Sequence, residues 1–275
     1  MEWRKVKNII ILVLLLLNGF LLVLVGTRRE EALRYDQRAL LQAAQVLEEN
    51  GIQVDLSALT SASNLPPLSL ERDAAQEARM MSALLGETVE GDDRGGGLYL
   101  YRGQYGEVSV RLGGELSAVL EDDPFWQTDS PEDHAAGLLR QMGVDGELLR
   151  SVRQGGENSV VFRQLWNETP LFSCQITFTY QSGRLRTIQG NLLTSGATAE
   201  ESETRLTLPT ALLRFLEHVL ESGDVCSSIQ SMQAGYRAAQ SFSSTTRLTP
   251  VWLISSDTAS YYLDASTGAL NRISD

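Results

Sequence analysis

Lysine is almost missing from this chain. Among its 23 basic residues only Lys5 and Lys7 are lysines, and both precede the first long apolar run. The rest of the chain therefore lacks the amine that a Ser-Lys dyad, a Schiff base or a phosphate-cradling Gly-rich loop requires. Histidine is nearly as scarce: His134 and His218 are the only two, and neither has a second ligand at metal spacing. No HExxH, GxSxG or CxxC pattern occurs, so zinc and activated-nucleophile chemistries lack their parts. Cysteine stops at Cys174 and Cys226, 52 residues apart. They are either one disulfide in an oxidising compartment or two packing thiols, and in neither case a disulfide framework. Positive charge is also in deficit. The chain carries −12, its first 26 residues +2, and the remainder −14. That excludes a general nucleic-acid binder, which needs a basic face.

What is present begins with the apolar run Ile9–Val25, broken only by Asn18 and Gly19. Its 17 positions would make a helix of roughly 26 Å, close to a hydrocarbon core. A cleaved leader has a shorter apolar region and small residues at its exit. Here the exit is Leu24-Val25-Gly26-Thr27-Arg28-Arg29 with no lipobox cysteine, which favours a retained single span. Trp3, Lys5 and Lys7 are of the types that anchor a span at the interface. Basic residues flank both sides almost equally, but a body of −14 does not suit an anionic cytoplasmic leaflet, which places the body outside. Asn18 and Gly19 combine a polar side chain in hydrocarbon with a small residue permitting close approach, so this pair is a candidate helix–helix contact.

The 43% hydrophobic content of the chain is enough for a packed core. Spacing predicts a helix over Glu31–Asn50, then a short strand at Ile52–Val54, and a loop over Ser57–Leu68. A theme of one helix and three short strands then recurs three times, without sequence identity. The first copy has a helix over Arg72–Leu85 and strands at Leu98–Arg102, Glu107–Leu112 and Glu115–Leu120. The second opens on Ser130 with Pro131 at N1, and has strands at Ser159–Trp166, Phe172–Tyr180 and Leu185–Leu193. The third has a helix over Leu208–Glu221 and strands at Ile229–Arg237, Arg247–Ser255, Tyr261–Asp264 and Leu270–Ile273. The expected organisation is a tail at 1–7, a transmembrane helix at 8–26, a stalk helix with a short strand at 27–56, a first extracytoplasmic α+β module at 57–125, and two further α+β modules at 126–275.

Carboxylates cluster at Glu90, Asp92, Asp93 and at Glu121, Asp122, Asp123. A pair of this kind can serve as glycosidase acid and base, but acidic turns on an acidic body are usually solvated. Tyr99, Tyr101, Tyr105, Phe125, Trp126, Trp166, Tyr180, Trp252, Tyr261 and Tyr262 either line a groove for peptide or glycan or, alternating in strands, fill sheet cores.

Two groups of residues carry a resemblance. Met1-Glu2-Trp3-Arg4-Lys5-Val6-Lys7, with Leu17-Asn18-Gly19-Phe20-Leu21, resembles the start of YycI-type two-component-system regulatory proteins. Phe162-Arg163-Gln164, Pro170-Leu171-Phe172, Ile188-Gln189-Gly190, Gly235-Tyr236, Leu248-Thr249-Pro250-Val251-Trp252 and Tyr261-Tyr262-Leu263-Asp264-Ala265, leading to Thr267-Gly268, are similar in order to the YycH/YycI family. The last set is also similar to PepSY-like α+β modules. The resemblance implies an α+β fold in which a single N-terminal transmembrane helix precedes helix-plus-antiparallel-sheet modules. It implies a cell-membrane protein with a cytoplasmic amino terminus, an extracytoplasmic body and no cofactor. Its role would be to regulate a WalK-type sensor histidine kinase of cell-wall metabolism together with a YycH-like accessory protein. That regulation would run mainly through transmembrane contacts at Asn18, Gly19 and Phe20, with membrane lipid around them. The residues also leave open an extracytoplasmic peptide- or glycan-binding sensor and a carboxylate-dependent envelope glycan hydrolase.

Overall fold

The structure is a computed structural model in which residues 11, 14, 17–20, 35–59, 65–121, 130–194, 197–200, 206–238 and 245–273 are described. The described part of helix α1 covers residues 35–49. β1 (Gln53–Val54) and β2 (Leu68–Glu71) precede α2 (Ala74–Leu85). Then come β3 (Asp92–Asp93), β4 (Leu98–Gly103), β5 (Gly106–Arg111) and β6 (Glu115–Leu120). After α3 (Pro131–Gln141) the chain forms β7 (Gly146–Gln154), β8 (Glu157–Trp166), β9 (Thr169–Gln181), β10 (Arg184–Asn191) and β11 (Ala197–Ala199). Helix α4 (Leu208–Ser222) leads to β12 (Ser228–Ala238), β13 (Thr245–Ser256), β14 (Ser260–Asp264) and β15 (Leu270–Arg272).

Local chemistry sets most of these boundaries. The Asp73 carboxylate accepts from the amides of Ala75 and Gln76, both at 2.9 Å, and starts α2. Ser130 accepts from the Asp133 amide at 3.3 Å, ahead of Pro131, and starts α3. β7 through β10 form a meander joined by two-residue turns. Asn167 and Glu168 both have positive φ, as do Ser182 and Gly183, and this backbone twist matches that of the flanking strands.

The strands do not stay in separate modules. They join into one mixed sheet of fifteen described strands, whose main path runs β11-β2-β13-β12-β9-β10-β6-β5-β4-β3, with β1, β7-β8 and β14-β15 branching from it. This overturns the expected α+β architecture of repeated helix-plus-antiparallel-sheet modules behind a transmembrane helix. Among the described residues no helix is long and apolar enough to cross a membrane. The physical cause of the merger is the edges. Each three-strand group leaves rows of unpaired N–H and C=O groups, and the fold satisfies them with one another. β6 thus pairs β10 from Val119↔Thr187 to Glu115↔Asn191, and Tyr236 of β12 meets Leu171 of β9 in parallel. β2, which begins at the last residue of the expected loop Ser57–Leu68, adds to the edge of β13, and β11 adds to β2.

Burial follows the same plan. α2 and α3 cover one face of β4–β6 and β8–β10, with Met81, Leu84, Leu138 and Phe178 among the buried side chains. α1 and α4 cover β12–β14 through Leu47, Leu212 and Phe215. A third, smaller cluster, including Leu70, Leu171, Cys174 and Leu248, seals the joint between the two halves. The opposite face carries no described helix, and there the halves meet in a fork.

Candidate functional site

The fork exists because β9, at 13 residues the longest of the described strands, belongs to both halves. Its carboxyl-terminal part pairs antiparallel with β10, while near its start only Leu171 pairs with β12. Close backbone approach closes the base of the fork. An ideal Cβ on Gly235 would lie 2.5 Å from the Pro170 carbonyl oxygen, and one on Gly190 would lie 2.1 Å from that of Gln175. The buried Gln164 side chain clamps the chain beyond β10. Its Nε2 donates to the Leu193 carbonyl and its Oε1 accepts from the Leu193 amide, both at 2.9 Å. The Ser173 hydroxyl accepts from the Ala238 amide at 2.9 Å across the split.

Above this base opens a cleft of about 1330 Å³, lined among others by Arg111, Ser173, Asn191, Arg237, Tyr262 and Asp264. Strand alternation selects these side chains. Tyr261 turns inward to pack edge-on against Phe215 at 5.4 Å, so Tyr262 turns outward; Tyr236 is buried, so Arg237 is exposed.

A ladder of charges and rings crosses the fork. Arg163, only 9% exposed, donates from Nε to Glu147 at 2.6 Å and from its other end to the Gln233 amide oxygen at 3.2 Å. Its guanidinium carbon lies 5.0 Å from the centre of the Phe172 ring. Phe172 packs against Tyr262 with ring centres 5.8 Å apart, and Arg237 lies 5.2 Å from the centre of the Tyr262 ring. Each contact is of cation–π or ring–ring type. Burial pushes the Tyr262 hydroxyl above its ordinary pKa, against the opposing pull of Arg237 and Arg163. The carboxylates in the cleft are occupied. Asp264 accepts at 2.8 Å from both the Ser266 and Thr267 amides, and Glu115 pairs with Arg111 at 3.2 Å.

The residues expected to contact a partner in the membrane lie apart from this cleft in sequence. Asn18 donates from its amide to the Leu14 carbonyl one turn back, at 3.0 Å. Among the described residues nothing lies within 4 Å of a Cβ built on Gly19, and Phe20 is exposed. Trp3, Lys5 and Lys7 lie outside the described residues. The other singled-out side chains scatter. His134 shares a 2.8 Å hydrogen bond with the Tyr180 hydroxyl, and His218 is half-buried on α4. Asp92 pairs with Arg94, while Asp93 accepts from the Gly95 amide. Asp122, Asp123, Phe125 and Trp126 lie outside the described residues. Cys174 and Cys226 are both free thiols. Of the aromatics, Tyr101, Tyr180, Trp252 and Tyr261 fill cores, and Tyr262 reaches the cleft. The ladder residues Arg163, Phe172 and Arg237 were not legible as a site. The available signal was the inward–outward alternation around Tyr236 and Tyr261.

The fold has solved counterparts. An uncharacterized protein from Eubacterium rectale matches with a TM-score of 0.51 over 81% of this chain and 90% of that one, at 11% sequence identity. The YpeB C-terminal domain of Bacillus megaterium aligns over 74% of this chain and 99% of that one, at 10% identity and a TM-score of 0.39. The first is a likeness of fold alone. No family model matches the chain, and no curated protein does either.

Proposed function

We propose that this chain is a non-enzymatic regulatory protein of the cell envelope, held at the membrane by its apolar amino-terminal segment with the folded body outside the cytoplasm. It acts with a YycH-like partner on a WalK-type sensor histidine kinase that governs cell-wall metabolism. Asn18, Gly19 and Phe20 supply the contact, and the cleft at the fork receives a ligand. Regulation of this kind needs only different affinities for two arrangements of the kinase.

One observation supports this reading above the others. The residues that carry the family resemblance are scattered from Phe162 to Gly268, yet Arg163, Gln164, Phe172, Gly190, Gly235, Tyr262 and Asp264 all build the fork or its cleft. The other resemblance residues, among them Phe162, Leu171, Ile188, Tyr236 and Trp252, are buried in the cores on which the fork rests. The glycan-hydrolase alternative is weaker, because it needs one carboxyl free to protonate a leaving group and a second to act as base or nucleophile. In the cleft Asp264 is tied to its own turn, which leaves Glu115 as a single exposed carboxylate where two are needed.

The test is crosslinking co-purification of the full-length chain from native membranes, beside an Asn18→Leu version. A sensor kinase recovered with the wild type and lost with the variant is the expected result. No kinase with either protein, or equal recovery with both, refutes the proposal.

A further inference from the structure

We infer that the cleft takes an extended acidic peptide, whose carboxylates pair with Arg237 and Arg111. This rests on the reading of the cleft as the ligand-receiving surface and specifies what it receives.

Arg237 is the centre of the site. Its guanidinium stacks on Tyr262, and among the described residues no carboxylate lies within ion-pair distance of it. Stacking on a ring holds the planar group while leaving its N–H edge free to grip a carboxylate with two parallel hydrogen bonds. The support is rigid from behind. Phe172 braces Tyr262, Arg163 lies against Phe172, and Glu147 and Gln233 fix Arg163. In a body of net charge −14, this is an exposed, preorganised cation with its charge unspent. Arg111 adds a second one. Its pair with Glu115 is solvent-exposed at 58% and 67%, and such pairs contribute little, so a ligand carboxylate can replace Glu115.

The rest of the lining selects peptide over other anions and over sugar. Asn191, Thr249 and Asn271 offer amides and a hydroxyl, which complement both the N–H and the C=O of an extended backbone. Glu115 and Asp264 place a negative charge beside the arginines. A phosphate polymer, charged at every unit, meets those acids throughout, whereas a peptide can set neutral units opposite them. A sugar ring stacks on an open aromatic face, and the Tyr262 ring is already engaged by Arg237 and by Phe172. The volume of about 1330 Å³ exceeds the roughly 300–1,000 Å³ of sites for single small molecules.

The experiment is fluorescence anisotropy with the full-length chain in mild detergent. The probe is a fluorescein-labelled octapeptide alternating glutamate and serine, with its glutamine counterpart and a linear polyphosphate of equal charge as competitors. The glutamate peptide is expected to bind at least about tenfold more tightly than the glutamine one, and more weakly as salt is raised. Arg237→Gln should weaken it by about tenfold or more, and Arg111→Gln by a smaller factor. Arg102→Gln, which removes an exposed pair with Glu107 outside the cleft, should leave binding unchanged. Circular dichroism verifies folding of each variant, and Arg111→Gln decides the matter if Arg237→Gln unfolds. Four results overturn the inference: no binding at millimolar peptide, equal binding of the glutamine peptide, tighter binding of polyphosphate, or unchanged affinity in the folded arginine variants. Kinase co-purification is read separately, so retained capture with no peptide binding removes the ligand class and leaves the regulatory proposal standing.

Discussion

Replacing Gly235 by alanine puts the base of the fork under direct strain. An ideal Cβ there stands 2.5 Å from the Pro170 carbonyl oxygen and 2.7 Å from Cε2 of Phe172, where unstrained contacts between carbon atoms begin at about 3.5 Å. The oxygen belongs to backbone beside the Tyr236–Leu171 pair, and the ring is held between Tyr262 and Arg163. Neither can yield freely, so β9 and β12 must part by roughly 1 Å. Overpacking of this kind costs about 1–3 kcal/mol. Alanine recovers at most about 1 kcal/mol over glycine through lower conformational freedom of the unfolded chain. The net expectation is a loss of about 1–2 kcal/mol, read as a shifted urea midpoint by tryptophan fluorescence of the full-length chain. Gly137, inside α3, is the control, since a Cβ there meets nothing within 4 Å. Gly137→Ala should gain about 0.5–1 kcal/mol. A Gly235→Ala protein as stable as the wild type would refute this account of the fork, and so would a Gly137→Ala protein that weakens alongside it.

Three further perturbations probe other parts of the chain. Arg72 donates twice to the buried Glu77 carboxylate, at 2.9 and 2.7 Å, so Arg72→Leu should cost about 3 kcal/mol by stranding that charge. Adding Glu77→Leu should recover most of the loss in urea titrations, and a double variant no better than the single one counts against the buried-pair argument. Burial, then the Glu77 carboxylate that accepts from its hydroxyl at 2.6 Å, raise the Tyr101 pKa above 10.0. A raised folded pKa gives stability that is present below about pH 10 and lost as pH climbs through the folded value. The melting temperature should therefore fall from about pH 10 upward, with a shallower slope in Tyr101→Phe; parallel slopes would exclude this cause. Burial pushes the Cys174 thiol up to about 12, whereas Cys226 is only half-buried. Iodoacetamide at about pH 8 should therefore label Cys226 while Cys174 reacts only after denaturation, and equal labelling rates by mass spectrometry would contradict the packing described.

Much of the secondary structure was legible because its causes are local. Ser130-Pro131 starts α3 by a cap the sequence displays, and the alternation in Glu115–Leu120 marks β6. β7 escaped notice for an equally local reason: as an edge strand it is exposed on nearly every residue, so burial imposes no alternation on Gly146–Gln154. β2 and β11 are short, and pairing alone makes them strands, β2 on the edge of β13 and β11 on that of β2. The candidate site was legible only in fragments. Arg163, Phe172, Tyr262 and Arg237 sit on four strands, and no spacing within one strand relates them.

By itself the sequence determined the chemistry available to this protein. An acidic body without lysine, with two histidines and two cysteines, is fixed by composition, as are the caps, turns and most strand positions, because each depends on residues a few places apart. The tertiary structure alone decided which strand lies beside which, and therefore that the supposed repeats merge into one sheet. It also decided that β9 would serve both halves and leave a cleft where they diverge. Strand pairing satisfies backbone groups that are identical in every residue, so its partners are chosen by burial and edge closure across the whole chain, which no local pattern records.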